Sequence, residues 1–453
     1  MLCSGSIVRA QTIAPGFGFT LFACANGSVS VSGMNTYGQL GTGDTNTQRR
    51  TNMLLTSISG VSAISAGSSH SLFLKNDGTV WACGRNLFGQ LGDGTNVNKL
   101  VPTKLSSLSN IKAIAAGDNY SMYLKSDGTV WGSGANISGS IGDGTNEGRN
   151  IPVQAKGVSG IVAISTGFAH TLFLKNDGTV WACGVNLNGE LGLGTQSTMQ
   201  TTPMQIPSLA GVTAVSASYT HSLFLKKDGT VWACGLDKFR ALGDNGADVK
   251  TTPFQVPGLT GIKAIAAGPS FSLFLKDDGT VWGCGVNASG ELGQGGTVPA
   301  KYLVPVQITA VTGSIAIFAG LGDNSFFIKK DNSMWATGYN NTGELGTGND
   351  YTDGKVTAVL NKCSSVTAVE TLSENPEISV YPNPNMGSFH IQIQHVPNDS
   401  RVEIYNLVAE KMYDQTIHSN TISLDLENYS KGMYFFKLVD QNHLIASGKI
   451  IVN

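Results

Sequence analysis

Seven times along this chain one phrase returns, in its fullest form A-I-S-A-G-x-x-H-S-L-F-L-K-N-D-G-T-V-W-A-C-G-x-N-x-x-G-Q-L-G-x-G-T. Anchored on the turn residue, the copies sit at Gly27, Gly78, Gly128, Gly178, Gly229, Gly279 and Asn332. The intervals are 51, 50, 50, 51, 50 and 53 residues. A fixed period of this length with a strand-like pattern specifies an array of small sheets. None of them can bury both faces without neighbours.

Within the second copy four strands are expected: Val61–Ala66, His70–Lys75, Thr79–Cys83 and about Val101–Leu105. His70-Ser71-Leu72-Phe73-Leu74 is apolar on both faces after its first two residues, as a strand between two sheets must be. Asp77-Gly78 is a hairpin signal that needs positive φ. The last copy has Asp331-Asn332 there, and asparagine also tolerates the left-handed region. All six tryptophans, Trp81, Trp131, Trp181, Trp232, Trp282 and Trp335, stand three residues after the turn residue, where the first copy has Ser30. Tryptophans held in register predict packing between adjacent blades, rather than a light-sensing or ligand-stacking cluster.

Strand order also bears on ring closure. The first copy starts at Ile13, and nothing upstream resembles an outermost strand, whereas Val356–Leu360 is such a strand with no further repeat to join. The expectation is an all-β, seven-bladed β-propeller with 3+1 closure, in which the end of the ring completes the first blade and removes an exposed edge. The expected organisation is a leader or signal-peptide remnant at 1–10, the propeller at 11–360, a linker at 361–375 and a small β-sandwich at 376–453.

The motifs W-A-C-G-x-N-x-x-G-Q-L-G-D-G-T and A-G-x-x-H-S-L-F-L-K resemble the regulator of chromosome condensation repeat, Trp81 to Thr95 being the closest copy. The resemblance implies the seven-bladed propeller over about residues 11–360. Members of that family include a guanine-nucleotide exchange factor, a plant UV-B receptor and secreted β-lactamase inhibitors. The exchange factor depends on a hairpin wedge, and the intervals here leave no room for one. The receptor's functional tryptophans include several beyond the repeat position, and this chain has none to spare. A net charge of −2 excludes the basic surface that nucleic acid requires.

The tail carries a second resemblance. Tyr381, Pro382, Asn383, Pro384, Gly387, Gly432-Met433-Tyr434 and the final Lys449–Val452 look like the C-terminal sorting domain of the type IX secretion system of Bacteroidetes. That implies export through the periplasm to the surface or the medium, with the secretion machinery as a partner. MLCSGSIVRAQ lacks the apolar core of a signal peptide, and the expectation is either a start assigned too far downstream or an ordinary leader.

Chemistry-bearing motifs are scarce. The cysteines Cys83, Cys183, Cys234 and Cys284 share one repeat position with Ser32, Ser133 and Thr337, which reads as a small packed residue, and no C-x-x-C pair marks zinc. Cys24 and Cys363 flank the two ends of the ring and are the candidate disulfide pair in an oxidising compartment. His70, His170 and His221 alternate with Phe19, Tyr120 and Phe271, which indicates packing plus a hydrogen bond. No Ser-His-Asp order, carboxylate pair or H-E-x-x-H is found, so the expectation is a non-enzyme without catalytic residues, metal or cofactor. The position after A-G varies freely (Phe17, Ser68, Asp118, Phe168, Tyr219, Pro269, Leu321), as does the loop after the tryptophan strand (Tyr37, Phe88, Phe239). Of these, Phe17, Asp118, Phe168, Tyr219, Leu321, Tyr37, Phe88 and Phe239 are the candidate binding residues, since aromatics on loops anchor protein or glycan partners. The expected function is a secreted or surface binding scaffold. An enzyme inhibitor of the propeller type is the alternative, and exchange activity or a central-pocket hydrolase or lyase is disfavoured.

Overall fold

The computed structural model describes residues 12–359, apart from 47, 208, 247 and 353. In the C-terminal part it describes 378–381, 388–393, 400–406, 410–416, 421–425, 432–440 and 443–452. The chain divides into two units, Met1–Cys363 and Ser364–Asn453. The expected leader at 1–10 and linker at 361–375 lie outside the described residues, as do Cys363, Pro382, Asn383, Pro384 and Gly387.

The first unit consists of seven four-stranded antiparallel sheets, each made of four consecutive strands. Blade 1 contains Thr12–Pro15, Phe19–Ala23, Val29–Met34 and Gln48–Leu55. Blade 2 contains Val61–Ala66, His70–Lys75, Val80–Gly84 and Lys99–Lys104. Blades 3 to 7 span 111–154, 161–205, 212–255, 262–307 and 314–358. The innermost strands touch in sequence around the ring, and Thr12–Pro15 meets Ser314–Ala319 to close it.

The 3+1 closure is not what the structure shows. Blade 1 has its own outermost strand, Gln48–Leu55, paired with Val29–Met34. The terminal strand Thr357–Ala358 pairs with the third strand of blade 7, through Trp335↔Ala358 and Ala336↔Thr357. The reason is the phase of the repeat. Each outermost strand follows its three partners in the chain, so the first copy lacks nothing and the last strand stays with its own blade. The seam between blades 7 and 1 is held by packing of Phe22 against Phe326, rings 5.8 Å apart and edge-on, within a cluster that includes Ile13, Met334 and Leu345. An isolated bridge, Thr51↔Thr347, and the Arg50–Asp350 ion pair at 2.9 Å cross the same seam. Cys24, in that cluster, is disulfide-bonded.

Blade-to-blade packing repeats one recipe. The second-strand aromatic (a tyrosine in blade 3, phenylalanine in the others) and third-strand tryptophan of blades 2 to 7 lean on the preceding blade: Phe73, Cys83 and Trp81 pack with Phe19, Leu21 and Val31. Trp81 is half-buried, with its indole N–H donating to the Thr79 hydroxyl at 3.3 Å and Lys75 over its ring at 5.4 Å. Thr79 is in turn fixed by Asp77, whose carboxylate accepts from its amide and its hydroxyl at 3.0 and 2.7 Å, so turn and tryptophan form one chain of contacts.

A second recipe explains the cysteines. Two side chains of each of blades 2 to 6 donate to one carbonyl of the preceding blade's Gly-rich loop. Gln39 accepts from the Ser71 hydroxyl at 2.5 Å and the Cys83 thiol at 3.6 Å, and Gln90 from Ser121 at 2.7 Å and Ser133 at 3.4 Å. A serine, threonine or cysteine satisfies that carbonyl, which is why the three interchange. Burial pushes the Cys83 thiol far above its ordinary range, so it stays a neutral donor.

The histidines stitch blades as well. His70, His170 and His221 are fully buried, and their Nε2 atoms meet Ser121, Ser222 and Ser272 of the next blade at 2.9, 3.0 and 3.0 Å. Burial holds them neutral, with pKa values lowered to about 3, about 3 and about 4.

The second unit contains two antiparallel sheets. One holds Ile378–Tyr381, Ser388–Ile393 and Thr421–Asp425, and the other holds Ser400–Tyr405, Lys411–Thr416, Gly432–Asp440 and His443–Val452. Val402, Ile404, Tyr434, Phe436 and Leu438 are its buried hydrophobic residues among those described.

Candidate functional site: the loop face of the ring

Because the strands of a blade alternate in direction, two links emerge at one end of the ring: innermost to second strand, and third to outermost strand. The Asp-Gly turns lie at the other end. All eight candidate residues therefore fall on a single face. Phe17, Asp118, Phe168, Tyr219 and Leu321 are in the inner circle of links. Tyr37, Phe88 and Phe239 are in the outer circle.

The outer loops are rigid for a definable reason. Asn86 accepts from the Leu91 amide at 2.9 Å and donates to the Thr95 carbonyl at 3.0 Å, tying both ends of its loop. Asn136 does the same toward Ile141 and Thr145. In blade 5 an aspartate, Asp237, takes that position. Its carboxylate still accepts from Leu242 at 2.8 Å, but burial, with the like charge of Asp244 adding to it, raises its pKa. Gly89 at φ 80° shows why the loop needs glycine: a Cβ there would sit 2.5 Å from the Asn150 backbone of the next blade.

On this frame Phe17, Phe168, Phe88 and Phe239 are 52, 42, 38 and 38% exposed. Phe168 and Tyr219, from neighbouring blades, lie ring to ring at 5.0 Å, and Tyr37 and Phe88 sandwich the Arg85 guanidinium at 5.2 and 5.7 Å. Leu321 departs from expectation. It is 6% exposed and faces the central channel, which leaves it no free surface for a partner.

The structure adds three residues that the motif comparison passed over. Leu87, Ile137 and Leu187 are 57, 72 and 56% exposed at one repeat position in blades 2, 3 and 4. The other copies have Thr36, Lys238, Ala288 and Asn341 there. Three consecutive large aliphatics at an exposed loop position were the available signal. Together with Phe88, Phe168 and Tyr219 they form an apolar arc over blades 2 to 5.

The channel inside the inner strands encloses about 260 Å³ and is walled by small or aliphatic residues such as Ile64, Ser65, Ala115, Ser165 and Ala217. The hydroxyls of Ser65, Ser165 and Ser216 accept amides of the next inner strand, from Ala116, Ala217 and Ala267, at 2.9 to 3.0 Å. Among the described residues no group of three or more His, Cys, Asp or Glu side chains is placed to hold a metal ion. No described helix is long and apolar enough to cross a membrane.

The RCC1-like domain family matches residues 106–374, more than half of the chain, and the regulator of chromosome condensation (RCC1) repeat matches 26–74 and 77–124. The chain belongs to the RCC1-like domain family. Two solved propellers resemble it in fold. Human WBSCR16 has TM-score 0.67 and 21% identity over 74% of this chain and 94% of that one. Prp20p of Saccharomyces cerevisiae, described with its binding to Gsp1p and histones, has TM-score 0.66 and 21% identity over 82 and 89%. At such identity these show the fold alone. Residues 379–453 of this RCC1-like chain match the secretion system C-terminal sorting domain. Among curated relatives, the ulvan lyase NLR42 of Nonlabens ulvanivorans is 30% identical over 77 residues, 17% of this chain and 14% of that protein. The chain thus spans only a small part of that lyase.

The sorting domain makes the protein a type IX secretion cargo, delivered to the outer membrane or the extracellular space. Of its motif residues, Tyr381 ends a strand, Gly432 opens one, and Tyr434 is buried at 5% exposure in the sheet core. Lys449 pairs with Phe435 in the neighbouring strand.

Proposed function

We propose that the protein is an exported binding scaffold whose loop face, over blades 2 to 5, recognises a macromolecule, a protein in preference to a glycan. It acts by binding and not by catalysis. The observation that carries this reading is the apolar arc of Leu87, Ile137, Leu187 and Phe168. Leu87, Ile137 and Leu187 stay exposed on loops whose backbones are already fixed by buried asparagines, and Phe168 on a link whose amide donates to the Ser218 carbonyl of the next blade at 3.0 Å. Exposed apolar clusters on rigid, pre-formed loops suit a partner interface, because little ordering entropy is lost on association. The channel walls support binding over catalysis, since they present alanine, serine and isoleucine rather than acid, base or nucleophile pairs.

The test compares the full-length protein with a Leu87→Ser/Ile137→Ser/Leu187→Ser variant and with a turn-face control, Lys227→Ser/Lys330→Ser. Each is used to capture partners from the producing organism's own medium, and a captured partner is purified and titrated calorimetrically. The arc variant is expected to bind at least about tenfold more weakly, a loss of ~1.4 kcal/mol, while the control is unchanged. Equal binding by all three proteins would remove the loop face from the account.

A further inference from the structure

The mouth of the channel on the loop face has an electrostatic character that the apolar arc does not explain. The seven links that ring it are residues 16–18, 67–69, 117–119, 167–169, 218–220, 268–270 and 320–323. They contain two charged residues, Asp118 and Asp323, and no lysine, arginine or histidine. The outer circle differs, because it carries cations, several of them paired with carboxylates: Arg49 with Asp44, Lys99 with Asp93, Arg149 with Asp143 and Lys250 with Asp244, at 2.5 to 3.2 Å.

Asp118 is oriented without being neutralised. The Ser68 hydroxyl donates to its Oδ1 and the Asn119 amide to its Oδ2, so neutral donors fix the carboxylate and leave its charge uncompensated. Asp323 stands exposed on blade 7. Tyr219 stands on the corresponding link of blade 5, where burial, with the negative charge of Asp118 adding to it, raises the pKa of its hydroxyl. The Phe168 ring, on the blade next to that of Asp118, lies 5.0 Å from the Tyr219 ring and completes an aromatic pair. The protein already shows what such surroundings accept, since Arg85 lies between the rings of Tyr37 and Phe88 in the outer circle.

We infer that the partner of the loop face inserts a basic side chain, arginine or lysine, at the channel mouth, where Asp118 and the Phe168–Tyr219 pair receive it. This rests on the binding-scaffold reading above. The carboxylate supplies a charge-assisted hydrogen bond and the ring faces supply cation–π attraction and cover for the aliphatic stem. Flanking apolar residues of the same partner segment rest on the arc. A basic protein loop fits this combination. An acidic polysaccharide would meet two like charges, and a neutral glycan would leave them unused.

The test uses the full-length protein and two tripeptides, acetyl-Leu-Arg-Leu-amide and the same peptide with citrulline, the neutral isostere of arginine, titrated by ligand-observed NMR. The arginine peptide is expected to bind about tenfold tighter, as one charge-assisted contact provides. The preference should shrink in Asp118→Asn and vanish in Asp118→Asn/Asp323→Asn. Equal binding of both peptides to the unaltered protein overturns the basic-side-chain inference while leaving the apolar docking face intact. Binding of maltohexaose at the mouth with both peptides silent overturns it in favour of a glycan. The comparison on the unaltered protein requires no variant to fold, and loss of partner capture by the Leu87/Ile137/Leu187 variant separately judges the underlying reading.

Discussion

Three buried histidines should make this ring acid-sensitive in a way that can be removed. His70, His170 and His221 have folded pKa values of about 3, about 3 and about 4, against 6.5 for the free side chain, because full burial disfavours the imidazolium. A depressed folded pKa gives stability that is complete above pH 6.5 and is lost as pH falls toward the folded value. Each pH unit below 6.5 costs ~1.4 kcal/mol per histidine, so at pH 4.5 the three together cost on the order of 8 kcal/mol relative to pH 7.5. Replacing all three by phenylalanine, which Phe19 and Phe271 show the position accepts, removes that slope. The replacement also forfeits three hydrogen bonds to serine, ~1 kcal/mol each. The serine hydroxyls keep their second role as donors to Gln90, Glu190 and Ala241. The variant is therefore expected to be about 3 kcal/mol less stable than the unaltered protein at pH 7.5 and about 5 kcal/mol more stable at pH 4.5. Urea-unfolding midpoints at half-unit pH intervals read this crossover. Buried Glu190, Glu291 and Glu344, whose raised pKa values act in the opposite sense, are present in both proteins and cancel. Parallel pH curves for the two proteins would refute the reasoning.

Asp237→Asn restores the amide that the other six blades have, and since the raised pKa of Asp237 means stability lost as pH rises, the variant should melt higher than the parent at pH 8 and no differently at pH 4. Asn324, fully buried, has neither side-chain polar atom bonded, and Thr20 across the seam has an unbonded hydroxyl. Asn324→His should place Nε2 on Thr20 as in three other blades and raise the unfolding midpoint by ~1 kcal/mol equivalent, whereas a fall would show that the seam has no room. Deleting residues 376–453 should leave circular dichroism of the propeller unchanged and move the protein from the medium to the cell fraction. Continued secretion of the shortened chain would contradict the sorting assignment.

The blade count, the Asp-Gly turns and the position of each tryptophan were legible because they repeat, and a register seen seven times is fixed by pattern alone. The closure is not legible because periodicity has no phase: the repeat gives the interval between strands but not whether an outermost strand precedes or follows its blade. Val356 onward looked spare for that reason. The small residue at Cys83, Ser133 and Thr337 was legible as packed, yet its hydrogen bond to a loop carbonyl of the preceding blade was not, because that carbonyl belongs to the backbone. At the binding face, variable aromatics drew attention to Phe168 and Tyr219, while Leu87, Ile137 and Leu187 look like core residues in a sequence rich in leucine and isoleucine. Only strand direction showed that both sets of links share one end of the ring. The channel-facing turn of Leu321 follows from the local path of the 320–323 link, which no spacing reports.

The most direct measurement of the central claim is hydrogen exchange, read by mass spectrometry, on the full-length protein with and without its captured partner. The account predicts slowed exchange in the links at 86–91, 117–119, 136–141, 167–169, 186–191 and 218–220, with the Asp-Gly turns of the opposite face unchanged. Protection confined to those turns, or to the outer edges of the blades, would contradict it.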